Sequence, residues 1–149
     1  MLAEILRARP HIHGILVDLP ATVARSGEIF KAADVAERVT ISGQSFFDPL
    51  PAGADVYLLR KVLNDWPDQE TVTILRRCAE AAPPTGRVVI IGGVTSDDGP
   101  PSLMVEMVLV GGKSNTPAAF RELARQAGLT VSGANRQPSG RFVVECRPA

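Results

Sequence analysis

The sequence of 149 residues contains only two cysteines, Cys78 and Cys146, and no excess of charge of either sign. Two cysteines cannot form a disulfide framework in a domain of this size, and we interpret both as small buried hydrophobic residues. The 16 basic residues balance 16 acidic ones, and no cluster of Lys or Arg is present. This balance argues against a nucleic-acid-binding protein and against a protein of the membrane surface.

Long hydrophobic runs are absent as well. The longest, such as Val88–Ile91 and Val108–Val110, are far too short to span a bilayer. The first ten residues lack the basic start and long apolar stretch of a signal peptide, so we expect a cytoplasmic protein. The length suits one domain over residues 1–149, and an apolar content of 45% is typical of globular proteins.

Short apolar runs alternate with stretches of helical periodicity. Unalternated runs predict strands buried on both faces of a parallel sheet, at Gly14–Asp18, Val39–Ile41, Asp55–Leu59 and Val88–Ile91. Helical spacing with Pro and Gly boundaries predicts helices, which begin at or near Leu2, Pro20 (reaching about Ala33), Pro67 and Thr116, with a further short apolar helix in Ser102–Val110.

The end of the chain predicts a different arrangement. Leu129–Ala134 and Phe142–Cys146 are joined through the turn Gln137–Gly140, a composition that suits an antiparallel pair. The whole pattern predicts an α/β fold with a mainly parallel sheet and this antiparallel pair at its end. Ligands of such sheets bind at the carboxyl ends of the strands, which directs attention to the loops after Val17, Ile41 and Leu59.

The first two of these loops carry groups suited to a nucleoside. Asp18 could accept two hydrogen bonds from a ribose diol, or could cap the helix that begins at Pro20. Gln44 and Ser45 could bind an adenine edge, or could satisfy their own turn. The adjacent aromatic pair Phe46-Phe47 could flank a planar base, or could fill the core.

The third loop is the densest in functional groups. Arg60 could bind a ligand carboxylate with two parallel hydrogen bonds. Asp65 and Asp68 could instead cap the following helix, and Trp66, the only tryptophan, could simply pack.

An ordered set of short motifs resembles one enzyme family over essentially all 149 residues. It resembles the catalytic domain of the S-adenosylmethionine-dependent O-methyltransferases of the plant caffeate and bacterial polyketide type, with a Rossmann-like class I methyltransferase fold. The motifs are Val17-Asp18-Leu19-Pro20, Gly43-Gln44-Ser45-Phe46-Phe47, Leu58-Leu59-Arg60-Lys61-Val62-Leu63-Asn64-Asp65-Trp66-Pro67-Asp68, and Gly111-Gly112-Lys113 with Thr116.

The resemblance implies a cofactor, S-adenosyl-L-methionine, and a small aromatic or polyketide-like methyl acceptor. It places Asp18, with Leu19 beside it, at the adenosine ribose and Gln44-Ser45-Phe46 along the adenine, and it makes Arg60 a cofactor contact. Asn64 stands at the position of the family's catalytic His. Met104 and Met107 fall where the family lines its acceptor pocket, and their helical spacing suits core residues equally well.

Two departures from the family pattern stand beside these matches. The family's first strand and glycine-rich loop, and its upstream dimerisation domain, have no counterpart in the sequence, so we expect a partial domain. The general base is also replaced, because an amide such as Asn64 cannot take a phenol proton. The flanking carboxylate positions hold Gly92 and Ser114, and Asp65 remains as a weak base.

These departures leave three functional hypotheses open. The first is methyl transfer that depends on alignment of cofactor and acceptor. The second is a non-catalytic remnant or partner-dependent fragment, and the third is a methyltransferase fold redirected to non-methyl chemistry. A missing strand would expose unpaired backbone, so we also expect a homo-oligomer or association through the exposed gap in the sheet.

Overall fold

The computed structural model describes residues 1–95, 114–138 and 140–149. Within it the chain forms two compact units, Met1–Pro51 and Ala52–Ala149.

The first unit is a small α/β layer built on one parallel strand pair. β1 and β2 pair from Gly14 opposite Val39 to Asp18 opposite Gly43. The unit contains, in chain order, α1 (Leu2–Ala8), β1 (Gly14–Asp18), α2 (Pro20–Val23), α3 (Ser26–Ala32), a 3-10 turn (Ala36–Arg38) and β2 (Val39–Gly43).

The core of the first unit lies between the strand pair and its helices. Leu6 of α1, Phe30 of α3 and Val35 are buried together, and Leu16 and Val39 pack against them. The Arg38 guanidinium donates to the carbonyls of Leu6 and Ile12, at 2.9 and 3.0 Å. The Leu6 carbonyl lies in the last turn of α1, where carbonyls have no helical partners, so the cation satisfies it.

The described strands of the second unit form a four-stranded mixed sheet in the order β3-β4-β6-β5. β3 and β4 are parallel, and β6 runs antiparallel to both β4 and β5. Its elements are β3 (Val56–Arg60), a 3-10 turn (Leu63–Asp65), α4 (Asp68–Ala81), β4 (Arg87–Ile91), α5 (Pro117–Gln126), β5 (Leu129–Arg136) and β6 (Phe142–Pro148).

Local sequence signals explain the limits of the helices in the second unit. Thr116 caps α5, because its hydroxyl oxygen accepts from the backbone N–H of Ala119 at 3.2 Å. Gly128 follows α5 with φ of +79°, the left-handed conformation that ends many helices. The buried face of α4 repeats every three to four residues, and it consists of Thr71, Val72, Ile74, Leu75, Cys78 and Ala81.

The structure confirms the α/β class and the C-terminal antiparallel pair, and it corrects two details. The helix predicted from Pro20 to about Ala33 is two helices, α2 and α3, because the chain leaves the helical conformation at Arg25, which has φ of −102° and ψ of 1°. The strands predicted to be buried on both faces are partly open, with Ile15 43% and Val56 48% exposed. The described strands form two sheets, which agrees with the gap expected between β1 and β3.

Candidate functional site

The carboxyl edge of the β1–β2 pair gathers one set of predicted site residues. Asp18 is the last residue of β1 and lies opposite Gly43, the last residue of β2. The backbone carbonyl of Asp18 accepts from the N–H of Gln44 at 2.9 Å, which holds the two loops together. Asp18, Leu19 and the segment 44–46 therefore share one edge of the first unit.

The Asp18 side chain does not cap a helix. Its Oδ1 accepts from the backbone N–H of Leu19 at 2.8 Å, whereas the N-cap of α2 is Leu19, which has no side-chain cap. The helix-cap alternative is therefore wrong. The other carboxylate oxygen has no hydrogen-bond partner in the described part of the chain, and the residue is half-buried.

The polar side chains after β2 satisfy their own loop. The Gln44 Oε1 accepts from the Ser42 hydroxyl at 2.8 Å, and its Nε2 donates to the carbonyl of Pro49 at 2.9 Å. The Ser45 hydroxyl oxygen accepts from the N–H of Phe47 at 3.2 Å. These bonds favour the interpretation that Gln44 and Ser45 shape the turn, while Phe46 stays half-buried beside it.

The carboxyl end of β3 carries the second set of residues. Arg60 ends β3 and is exposed, with no ion pair or side-chain hydrogen bond in the described residues. Lys61 follows with φ of +54°, a left-handed conformation that turns the chain sharply out of the sheet. The turn leads directly into the 3-10 segment that presents Asn64 and Asp65.

Asn64 and Asp65 form a linked pair. The Asn64 amide nitrogen donates to Oδ1 of Asp65 at 2.8 Å. The Asn64 Oδ1 is buried without a hydrogen-bond partner, whereas Asp65 is exposed. An unpaired buried acceptor costs free energy, and a catalytic role is one of the reasons for which proteins retain such an atom.

Gly93 is a positioning residue that the sequence reasoning missed. It has φ of +82°, and a Cβ built there would lie 3.1 Å from the Asn64 backbone nitrogen and 3.2 Å from Cβ of Leu63. Only glycine combines this φ with so close an approach. The available signal was the pair Gly92-Gly93 directly after a predicted strand.

Other predicted residues fall outside this geometry. Met104 and Met107, and the predicted helix Ser102–Val110, lie outside the described residues. Asp18, Leu19, Gln44, Ser45 and Phe46 belong to the first unit, whereas Arg60, Asn64 and Asp65 belong to the second. The convergence of these two sets on one cleft remains a prediction.

Two classes of site find no support in the described part of the chain. No group of three or more His, Cys, Asp or Glu side chains is arranged there to hold a metal ion. No helix among the described residues has the length and apolar character needed to cross a membrane. A shallow groove of about 250 Å³ is lined by residues of α4 and α5.

Comparison with known proteins decides the family. A family model described as the O-methyltransferase domain matches residues 1–130. This chain belongs to that family. The chain is 40% identical over 137 residues to 2,7-dihydroxy-5-methyl-1-naphthoate 7-O-methyltransferase of Streptomyces carzinostaticus, a match that covers 91% of this chain and 41% of the relative.

Two further relatives of the chain are informative. A solved structure of an O-methyltransferase from neocarzinostatin biosynthesis, in complex with S-adenosylmethionine and 2-hydroxy-5-methyl naphthoic acid, matches with a TM-score of 0.90 and 38% identity, over 99% of this chain and 45% of that one. Aclacinomycin 10-hydroxylase of Streptomyces purpurascens is 36% identical over 139 residues, which is 89% of this chain and 37% of the relative. The chain spans less than half the length of these relatives.

Proposed function

We propose that this chain is the catalytic part of an S-adenosylmethionine-dependent O-methyltransferase that acts on small aromatic or polyketide-like molecules. The observation that carries the proposal is the Asp18 carboxylate at the carboxyl end of β1, with one oxygen free to accept hydrogen bonds. Family membership supports it, and so does the relative solved with S-adenosylmethionine and a naphthoic acid. A cytoplasmic location, expected from the sequence, remains a proposal.

The donor and acceptor chemistry of the described residues fits the cofactor. A ribose diol offers two donors, and the Asp18 carboxylate is an acceptor at a position where nucleoside-binding sheets use one. Leu19 is 53% exposed beside it and Phe46 is half-buried, so both offer apolar surface to the adenosine half. In this proposal Gln44 and Ser45 fix the loop that faces the adenine.

The carboxylate in the methionine half of the cofactor is suited to a cationic partner. Arg60 has no ion pair in the described residues, and its planar guanidinium suits a carboxylate. Because the residue is exposed, this contact is screened by water and salt. Arg60 therefore contributes more to orientation than to affinity.

Asn64 and Asp65 would then act on the acceptor. When bound, S-adenosylmethionine supplies a methyl group on an electrophilic sulfonium. The amide of Asn64, held by Asp65 at 2.8 Å, can orient an acceptor hydroxyl but cannot take its proton. The exposed Asp65 carboxylate is the weak base of the pair, and water accepts the proton of an acidic phenol. Met104 and Met107 are proposed to line the acceptor pocket.

A second candidate is non-methyl chemistry on the same fold. One relative at 36% identity is named a 10-hydroxylase, and Asn64 supplies no imidazole to remove an acceptor proton. Family membership alone therefore leaves the reaction to be tested.

We also propose that copies of the chain associate through the free edge of β1. In the described residues β1 has a single hydrogen-bonded neighbour, β2. Because the Asp18 carbonyl faces β2, alternation places the backbone groups of Ile15 and Val17 on the other edge. An open edge beside the exposed Ile15 favours pairing with another strand.

Methyl transfer is tested with excess protein, S-adenosylmethionine carrying a labelled methyl group, and 2-hydroxynaphthalene as acceptor. Mass spectrometry should detect the labelled methyl ether and an equal amount of S-adenosylhomocysteine, at a rate that falls in Asn64→Ala. Cofactor binding without any methyl ether would favour the non-methyl candidate, and no cofactor binding would contradict the proposal.

A further inference from the structure

A groove at the end of the second sheet contains none of the proposed cofactor and acceptor residues. Its volume is about 570 Å³, and it is lined by Ile91, Gln137, Pro138, Arg141 and Val143. Pockets of 300–1,000 Å³ hold small organic ligands in many proteins. The groove lies where β4 ends, and carboxyl ends of strands are where α/β sheets bind ligands.

The floor of the groove is apolar. Ile91 of β4 lies opposite Val143 of β6 in the antiparallel register, next to the pair Ile90 and Val144. Ile90 and Val144 are fully buried. Because side chains alternate between the faces of a strand, Ile91 and Val143 share the opposite face, and both are only half-buried.

The rim of the groove is a fixed turn that carries a cation. The backbone N–H of Gln137 donates to the carbonyl of Arg141 at 2.8 Å, and the N–H of Gly140 donates to the carbonyl of Gln137 at 2.8 Å. These bonds hold the turn, and Pro138 stiffens it further. Arg141 is exposed, and its guanidinium makes no ion pair or hydrogen bond within the described ranges.

We propose that this groove binds an aromatic carboxylate. Ile91, Val143 and Pro138 offer apolar surface to a planar ring, and the Arg141 guanidinium can hold a carboxylate with two parallel hydrogen bonds. An inorganic anion would leave the apolar floor in water, and a neutral aromatic molecule would leave the guanidinium unpaired. This binding does not rest on the proposed function.

The experiment is an NMR titration of the 149-residue chain, labelled with ¹⁵N, with 2-naphthoate. Amide shifts should concentrate at Gln137, Arg141 and Val143 and should saturate. Arg141→Gln should weaken this binding about two- to fivefold, the size expected for one exposed charge pair. Arg121→Gln is the matched control, since Arg121 is also exposed and without a described partner but lies on α5.

A second probe separates charge from stacking. The amide 2-naphthamide has the same ring system without the charge, so its weaker binding should be the same in Arg141→Gln and in the unsubstituted chain. Absence of saturable shifts at the groove, or equal effects of Arg141→Gln and Arg121→Gln, would overturn the proposal.

A parallel titration with S-adenosylhomocysteine distinguishes the two proposals. Saturable naphthoate shifts at the groove without binding of S-adenosylhomocysteine would support the groove and contradict the proposed function. Binding of S-adenosylhomocysteine without naphthoate shifts would do the reverse.

Discussion

The amide side chain at position 64 limits the chemistry that this site can perform on a methyl acceptor. The Asn64 side chain donates to Asp65 and keeps its own oxygen buried and unpaired. Because an amide is neither a base nor an acid near neutral pH, the pair can align a hydroxyl group more readily than it can ionise one. Because the methyl group is already electrophilic, aligning the acceptor oxygen with it supplies a large part of the lowering of the barrier.

The two cysteines are the clearest single-residue prediction about reactivity. Burial raises the pKa of the Cys78 thiol to about 12, and burial followed by the neighbouring Glu145 raises the pKa of Cys146 to about 12. Both thiols are free and buried. A disulfide reagent at pH 8 should therefore label the folded chain at least about 100-fold more slowly than the chain in guanidinium.

The same pKa values set the sign of a pH dependence. The unfolded chain ionises its thiols near pH 8.5, whereas folding favours the neutral thiols. The buried neutral thiols contribute their full stabilisation of the fold below that pH. The free energy of unfolding should therefore fall as the pH rises from about 9 towards 12. Fast labelling of the folded chain would contradict the buried positions of both thiols.

At the scale of elements, the junction between β4 and the turn after β3 positions Asn64. Gly93→Ala places a Cβ 3.1 Å from the Asn64 nitrogen, whereas Gly53→Ala meets nothing within 4 Å at a similar φ of +86°. The free energy of unfolding of each variant should fall by about 1–3 kcal/mol, because alanine is strained in the left-handed conformation. The free energy of unfolding of Gly93→Ala should fall by at least about 1 kcal/mol more, because Leu63 and Asn64 must also move to make room for the Cβ.

Urea denaturation of both variants measures this difference directly. Equal losses of stability would show that the contact between Gly93 and the Asn64 turn contributes nothing beyond backbone strain.

The sequence predicted which segments form helices and which form strands, but it did not predict how deeply each strand is buried. Apolar runs and the signals at Thr116 and Gly128 predicted the helices and strands of the second unit, since these signals are local. The exposure of Ile15 depends on which elements lie beside β1, and no local pattern reports that. The same limit applies to Gln44, because its bond to the Pro49 carbonyl, five residues away, depends on the path of the folded loop.

At the scale of the whole molecule, exposed apolar side chains on the strands predict self-association. Ile15→Lys places a charge on the β1 edge and should raise the dissociation constant for association at least about tenfold. Ile29→Lys is the control, because Ile29 is 61% exposed but lies on α3. Sedimentation velocity at several concentrations measures both, and a concentration-independent monomer would exclude association through β1.

In the proposed function Asp18 holds the ribose of S-adenosylmethionine. The most direct test is an NMR titration of S-adenosylhomocysteine with the chain, Asp18→Asn and the control Asp34→Asn, since Asp34 precedes the other end of β2. Because Asp18 is half-buried and Arg60 exposed, we expect a dissociation constant no tighter than about 0.1–1 mM. Asp18→Asn should weaken binding about tenfold, the cost of hydrogen bonds to a charged group, and Asp34→Asn should not change it. Equal affinity of Asp18→Asn and the unsubstituted chain would contradict the account.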